Sequence, residues 1–292
     1  MDTAYNISRI RYGEDPALDA CIKVASFNIK RDSGFQGTHS WQYRRELVAD
    51  IIRKSGLAII GVQELLPTMR EDLHTLLQDY SIFGDGRKRN RSNEQSAILL
   101  RDHDTRLLGG QTFWLSKHPE QSGSRAYFSM FPRICTVCEV FVQEYGRSIR
   151  VFNTHFDHIC SPARTLGVRI ILEYMHRMNE RSPMPCILMG DLNAAPDSKP
   201  IRILRENRHT YPDIHLNCAY DLMKNRASIN TYHGFTGRIT PRPPIDYIFV
   251  SDEFVIKDTY LDTTHTGELY PSDHFPLVAE LGLKKQEVEL AG

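Results

Sequence analysis

The 292-residue chain has no net charge: 36 lysines and arginines balance 36 aspartates and glutamates. Proteins whose affinity comes from coating phosphates in cations are usually basic overall. Broad, non-specific nucleic-acid binding is therefore not supported, and only a local basic groove stays open. No apolar run approaches the ~20 residues of a membrane-spanning helix, and Met1 to Asp19 lack the apolar segment of a signal peptide. Both absences predict a cytoplasmic protein with no membrane partner. The six cysteines include a single C-x-x-C, Cys135 and Cys138, without the second pair or the histidine pair that a structural zinc site needs. Most of them lie in apolar surroundings and read as reduced core residues. No internal repeat or low-complexity stretch is visible.

What is present is ordinary globular material, 41% hydrophobic and 25% charged, with no break in composition. Residues 1–20 read as an extension, 21–285 as the folded domain and 286–292 as a tail. Short apolar runs bounded by polar turns predict strands over 22–27, 57–62, 97–100, 134–142, 149–153, 186–189, 245–250, 255–261 and 275–281. Helical spacing marks 41–54 and 162–178, and Pro67 opens a third helical segment. Many strands with a few interspersed helices predict a mixed α/β or α+β domain. Two sheets packed face to face, with helices outside, would accommodate that strand count.

Polar residues recur where these strands finish or begin. Asn28 ends the first, Glu64 follows the second, His155 and Asp157 end the run 151–154, and Asp191 and Asn193 follow 187–190. Asp246 opens one late strand, while Asp273 and His274 stand between Pro271 and Pro276 before the last. Neighbours on a strand point to opposite faces, so Asp273 and His274 can serve one site only from a loop or a strand end. Each feature alone is also what a turn or a solvated terminus looks like. Together they mark one structural position, and strand ends on one edge of a core commonly form active sites. Oxygen ligands select hard cations such as Mg²⁺ or Mn²⁺. An Asp–His pair moves a proton. Such parts suit metal-assisted phosphoester hydrolysis.

The ordered segments Ser26-Phe27-Asn28, Gly61-Val62-Gln63-Glu64, Asn153-Thr154-His155, Gly190-Asp191-Leu192-Asn193, Ile245-Asp246-Tyr247 and Ser272-Asp273-His274 closely resemble the endonuclease/exonuclease/phosphatase (DNase I-like) superfamily. Phe113 to Ser116, Pro132 to Thr136, His155 to His158 and Tyr270 to Pro276 are similar to a bacterial subgroup of it whose substrates are unassigned. The resemblance spans residues 22 to 281. It implies a four-layered α/β sandwich, two packed and mostly antiparallel sheets flanked by helices, with the site at the strand ends on one edge. It implies a divalent-metal-dependent hydrolase using one or two Mg²⁺ or Mn²⁺ ions. Asn28, Glu64 and Asp273 match metal ligands. His155, Asp191, Asn193, Asp246 and His274 match catalytic residues, with Asp246 supporting His274. The general base, Asp191 or the His274–Asp246 pair, stays open. Glu94 matches an acidic partner of His155 more loosely.

For the substrate, Arg133, His158 and Arg164 are candidate phosphate contacts alongside Glu94, as is the basic run 87–91. Tyr127, Phe128, Tyr232 and Phe235 are candidates for stacking on a base or sugar. Zero net charge and the lack of a long groove-entering insertion favour a small phosphoester. A nuclease acting on single strands or damaged DNA is the alternative, and an inactive binding protein is the reading from another class. The sequence leaves oligomeric state open.

Overall fold

The computed structural model describes residues 20–34, 36–223 and 229–284. The proposed tail and all but the last residue of the proposed extension lie outside these. The elements run in the order β1 (Cys21–Asn28), α1 (Trp41–Lys54), β2 (Ile59–Leu65), α2 (Pro67–Leu76), β3 (Tyr80–Phe83), β4 (Gln95–Arg101), β5 (Thr105–Trp114), β6 (Ile134–Val142), β7 (Arg147–His155), α3 (Ser161–Arg181), β8 (Cys186–Asp191), α4 (Lys199–Arg205), β9 (Leu216–Cys218), β10 (Asp246–Ser251), β11 (Phe254–Leu261) and β12 (Leu277–Leu283).

The strands form two six-stranded sheets, ordered β11-β12-β1-β2-β4-β3 and β5-β6-β7-β8-β10-β9. In each, one central pair is parallel, β1 with β2 and β7 with β8. Parallel neighbours need a crossover, and α1 and α3 supply it. Every other pairing is antiparallel.

Alternation along the strands explains the layering. On β1, Ala25 and Phe27 join a core with Trp41, Val48 and Ile52 of α1 and Met69 and Leu73 of α2. Ile22 and Val24, one step out of phase, join the larger core, which holds Val137, Val151 and Leu188 of the second sheet and Val168, Ile171 and Met175 of α3. The result is helices, sheet, sheet, helices: an α/β sandwich. Because both faces of the central strands are covered, they read as unbroken apolar runs.

Helices α1, α2 and α3 match the expected segments closely. Sequence periodicity did not point to β3, β5, β9 or α4. Strand β5 is the informative case. It is an edge strand whose residues 106–111 are all exposed, so no apolar pattern marks it.

Two polar ties fix the layers beneath the site. Gln63 Nε2 donates to Asn153 Oδ1 across the sheets at 2.7 Å, and Asn153 Nδ2 donates to the carbonyls of Val62 and Ala97. Gly61 permits this approach, since a Cβ there would meet Met189 at 2.6 Å and Asn153 Oδ1 at 2.7 Å. On the α1 side, fully buried Arg44 donates to the carbonyls of Ile29, Lys30, His39 and Pro271. Ser272 Oγ donates to the Asn28 carbonyl at 2.6 Å. The loop after β1 is thereby pinned to the loop before β12.

Candidate active site

The C-terminal ends of β1, β2, β7 and β8 share an edge with the starts of their antiparallel neighbours. His155 and Asp191 are register partners across β7 and β8, and Asp191 and Asp246 across β8 and β10. The three therefore stand in one row on one face. Asp273 and His274 reach the same edge from the loop ahead of β12. A cavity of about 440 Å³ opens there, lined among others by Lys30, Glu64, Glu94, Arg133, His155, His158, Asp191, Asn193, Asp273 and His274. Another cavity, beside Arg147, Pro185 and Lys284, lies where β7 and β8 begin, at the opposite edge, and gathers no comparable chemistry.

The backbone aims several of these side chains through uncommon conformations. Glu64 has φ 63° where β2 slips register against β4 between Val62 and Leu65, and Lys30 and Asn193 are also left-handed. Left-handed non-glycine residues and bulges of this kind concentrate at functional sites. Gly190, just before Asp191, has φ 151°, and a Cβ there would meet the Thr154 carbonyl oxygen at 2.0 Å. Only glycine lets β8 lie that close to β7.

Hydrogen bonds hold the reacting groups in fixed orientations. His274 Nδ1 lies 2.8 Å from Asp246 Oδ2, and both are buried. Burial lowers the imidazole, but the Asp246 carboxylate, joined by Asp191 and Asp273, outweighs it and raises His274 from 6.5 to about 10, which favours the imidazolium at neutral pH. Asp191 accepts from Asn28 Nδ2 at 3.0 Å and from the Asn193 N–H at 3.0 Å. Burial first, and the Asp246 charge second, raise Asp191 from 3.8 to about 7. His155 stands between, its Nε2 3.6 Å from Asp191 and its Nδ1 3.7 Å from Glu94. Burial and the Arg133 charge hold it well below the usual imidazole range, so it is neutral. The Tyr232 ring meets His274 edge-on at 5.1 Å.

Placement of the remaining residues differs in detail from expectation. Asn28 and Asp246 are not in the cavity wall. Asn28 Nδ2 ties Glu64 to Asp191, and Asp246 stands behind His274. Glu94 makes no hydrogen bond to His155; its close partner is Arg87 at 2.7 Å. Arg164 is not in the wall either. Its guanidinium donates to the Asp157 carbonyl at 2.7 Å, so the phosphate-contact expectation for it is not met by its position. Phe235 stacks on His39, and Tyr127 and Phe128 are exposed outside the cavity wall. Sequence reading missed Lys30, whose Nζ lies 3.0 Å from Asp273 Oδ2, and Arg31, whose N–H donates to Glu64. A cation two residues beyond Asn28 in a motif of site residues was the only signal for Lys30.

Two donor sets could hold a cation. Asp191, Asp246 and His274 offer atoms within 4.8 Å of one another. There His274 Nδ1 and Asp246 Oδ2 already face each other at 2.8 Å, so two of the three donors are engaged. Asn28, Glu64 and Asp273 offer oxygen alone, and the Lys30 ammonium already sits against Asp273 as a positive charge. That set fits a hard divalent ion.

The family model described as the Endonuclease/Exonuclease/phosphatase family matches residues 25–274. The chain belongs to the endonuclease/exonuclease/phosphatase family. Its members are phosphoesterases and nucleases, and the chain is accordingly a phosphoric ester hydrolase. Among solved structures it is similar to an endonuclease/exonuclease/phosphatase from Bacteroides vulgatus, with 28% identity, TM-score 0.81, and coverage of 90% of this chain and 99% of that one. It is also similar to the Bacteroides thetaiotaomicron mannosyl-6-phosphatase, with 27% identity, TM-score 0.80, and coverage of 89% and 99%. The human Nocturnin catalytic domain, at 20% identity, TM-score 0.68 and coverage of 90% and 94%, shares the fold. No curated protein sequence matches the chain. Among the described residues no helix is long and apolar enough to cross a membrane.

Proposed function

We propose that this family member hydrolyses a small phosphoester, of the size of a sugar phosphate, with Asp191 as general base. The observation that carries this reading is geometric: Asp191, held at both oxygens by Asn28 and the Asn193 N–H and raised by burial, stands beside His274, which is paired with Asp246, in one small cavity. A base works best when its pKa lies near the working pH. A His274 protonated at neutral pH cannot take water's proton, which leaves that task to Asp191. His274 and neutral His155 then donate hydrogen bonds to the phosphate. As the water oxygen bonds to phosphorus, its proton passes to Asp191, the bond to the ester oxygen breaks on the opposite side, and the departing alkoxide takes a proton from solvent. Asn28 and the Asn193 N–H hold both oxygens of Asp191, so the carboxylate need not reorganise. Glu64 and Asp273, with Asn28, would hold Mg²⁺ or Mn²⁺, which when bound neutralises charge on phosphate oxygen.

The volume of the cavity supports a small ligand over a duplex. The printed activity of the 27%-identical Bacteroides relative, a mannosyl-6-phosphatase, supports a sugar phosphate. The test is a turnover panel with Mg²⁺ or Mn²⁺ on an aryl monoester, a bis-aryl diester, sugar and inositol phosphates, single-stranded RNA and DNA, and plasmid. We expect sugar phosphates to lead, chelation to abolish turnover and Mg²⁺ or Mn²⁺ to restore it. Asp191→Asn should be about 10³-fold slower or worse. Near-normal turnover by that variant refutes the base assignment, and preferred cleavage of RNA, DNA or plasmid refutes the substrate class.

A further inference from the structure

Glu94 is one carboxylate among three guanidiniums. Arg87 Nη1 lies 2.7 Å from it, and Arg133 and Arg31 each approach to 3.7 Å. All four line the same cavity, on the Glu94 side of His155. Arg87 and Arg133 are only 5% and 7% exposed, whereas the Arg31 side chain is 45% exposed. A buried cation needs an anion. Within ion-pair distance one carboxylate faces three guanidiniums, with Glu64 and Asp157 acting on Arg87 and Arg133 from farther away. Arg133 shows this crowding most directly. Its Nη2 faces His158 Nδ1 at 3.2 Å, and its buried Nε has no hydrogen-bond partner among the described residues. The Phe131 ring lies 4.6 Å from the Arg87 guanidinium and fixes the plane of that fork.

The same cavity is also lined by Glu64, Asp191 and Asp273, so it carries both signs of charge. An ion pair built only to staple β4 to its surroundings would stop at Arg87 and Glu94. Further guanidiniums around one carboxylate repel each other: Arg133 and Arg31 add to burial in disfavouring the charge on Arg87. Planar guanidinium forks match the oxygens of a phosphoryl group, which would remove that repulsion.

We propose that Arg31, Arg87 and Arg133 form a second anion subsite, and that the substrate is a small molecule carrying two phosphoryl groups. One is held by the arginines and retained. The other is hydrolysed at Asp191 and His274. This rests on the phosphoesterase reading above.

The test compares kcat/KM for a sugar bisphosphate with that for the matching monophosphate, in wild type, Arg31→Gln and Arg133→Gln. Metal-free calorimetry with methylenebisphosphonate reports the subsite independently of turnover. The bisphosphate should be preferred at least tenfold. Each variant should erase about tenfold of that preference through KM, and should bind the bisphosphonate about tenfold more weakly. Arg31 is half exposed, so its variant folds even if Arg133→Gln does not. Equal use of the two esters, or an unchanged preference in Arg31→Gln, overturns the subsite. An oligonucleotide that outcompetes the bisphosphate overturns the small-molecule class. If neither ester turns over, the hydrolytic reading has failed, and bisphosphonate affinity alone decides the subsite: binding weakened in Arg31→Gln upholds it, and unchanged or absent binding rejects it.

Discussion

Replacing Asp246 by Asn separates charge from shape at the centre of the site. The amide can still accept from His274 Nδ1, so the 2.8 Å contact and the packing survive. The charge does not. Against burial, Asp246 leads Asp191 and Asp273 in raising His274 from 6.5 to about 10, a net preference for the charged ring of about 5 kcal/mol. Without that charge, only Asp191 and Asp273 oppose burial, and the imidazole falls well below its wild-type value. The same carboxylate also raises Asp191. Removing a negative charge lowers both values, because a cation loses its partner and an anion loses a repelling neighbour. Both limbs of the pH–rate profile should therefore move to lower pH. The alkaline limb should fall well below its wild-type position near 10, and kcat at pH 8 should fall at least about tenfold. The assay is steady-state turnover from pH 5 to 10.5, with the His274 ring proton followed by NMR and circular dichroism as the folding control. A folded variant that keeps the wild-type alkaline limb, or loses less than tenfold at pH 8, refutes the assignment of an Asp246-supported imidazolium.

Two further outcomes follow from burial. Asp191 titrates at about 7 folded against 3.8 unfolded, so its contribution to stability is present below about 3.8 and lost as pH rises through about 7. At pH 8 the metal-free protein then carries a cost on the order of 4 kcal/mol. Asp191→Asn should melt several degrees higher than wild type at pH 8 without metal, with the gap narrowing to less than half by pH 5 and closing only near pH 3.8. Equal melting curves at pH 8 would contradict the raised value. Arg44→Met should cost about 3–5 kcal/mol by leaving several buried carbonyls unpaired, measured by denaturant melts, and Arg44→Lys should recover only part of it.

The row His155, Asp191 and Asp246 was legible because polar residues interrupt apolar strands at matching ends, and register then sets them side by side. The same reasoning placed Asp273 and His274 on a loop. It did not reach Arg44, which sits on a helix with an ordinary amphipathic pattern and acts through carbonyls 15 and 227 residues away. Nor did it separate Arg87 from the solvated arginines after it. In sequence all belong to one basic run. In space only Arg87 turns inward, held by Glu94 and Phe131. Arg164 shows the converse: a cation at a suggestive spacing, committed to a nearby carbonyl.

The two sheets differ in how the chain delivers them. The second sheet is assembled from one uninterrupted stretch, β5 through β10, which brings His155, Asp191 and Asp246 with it. The first borrows from both ends, since β12 inserts between β1 and β11 some 250 residues after β1 is made. Pairings so distant in sequence form late. On the ribosome, the phosphate-side row can be complete while Asp273 and His274 are still untranslated or inside the exit tunnel. Until the loop bearing His274 joins them, His155, Asp191 and Asp246 lack the imidazole that Asp246 faces.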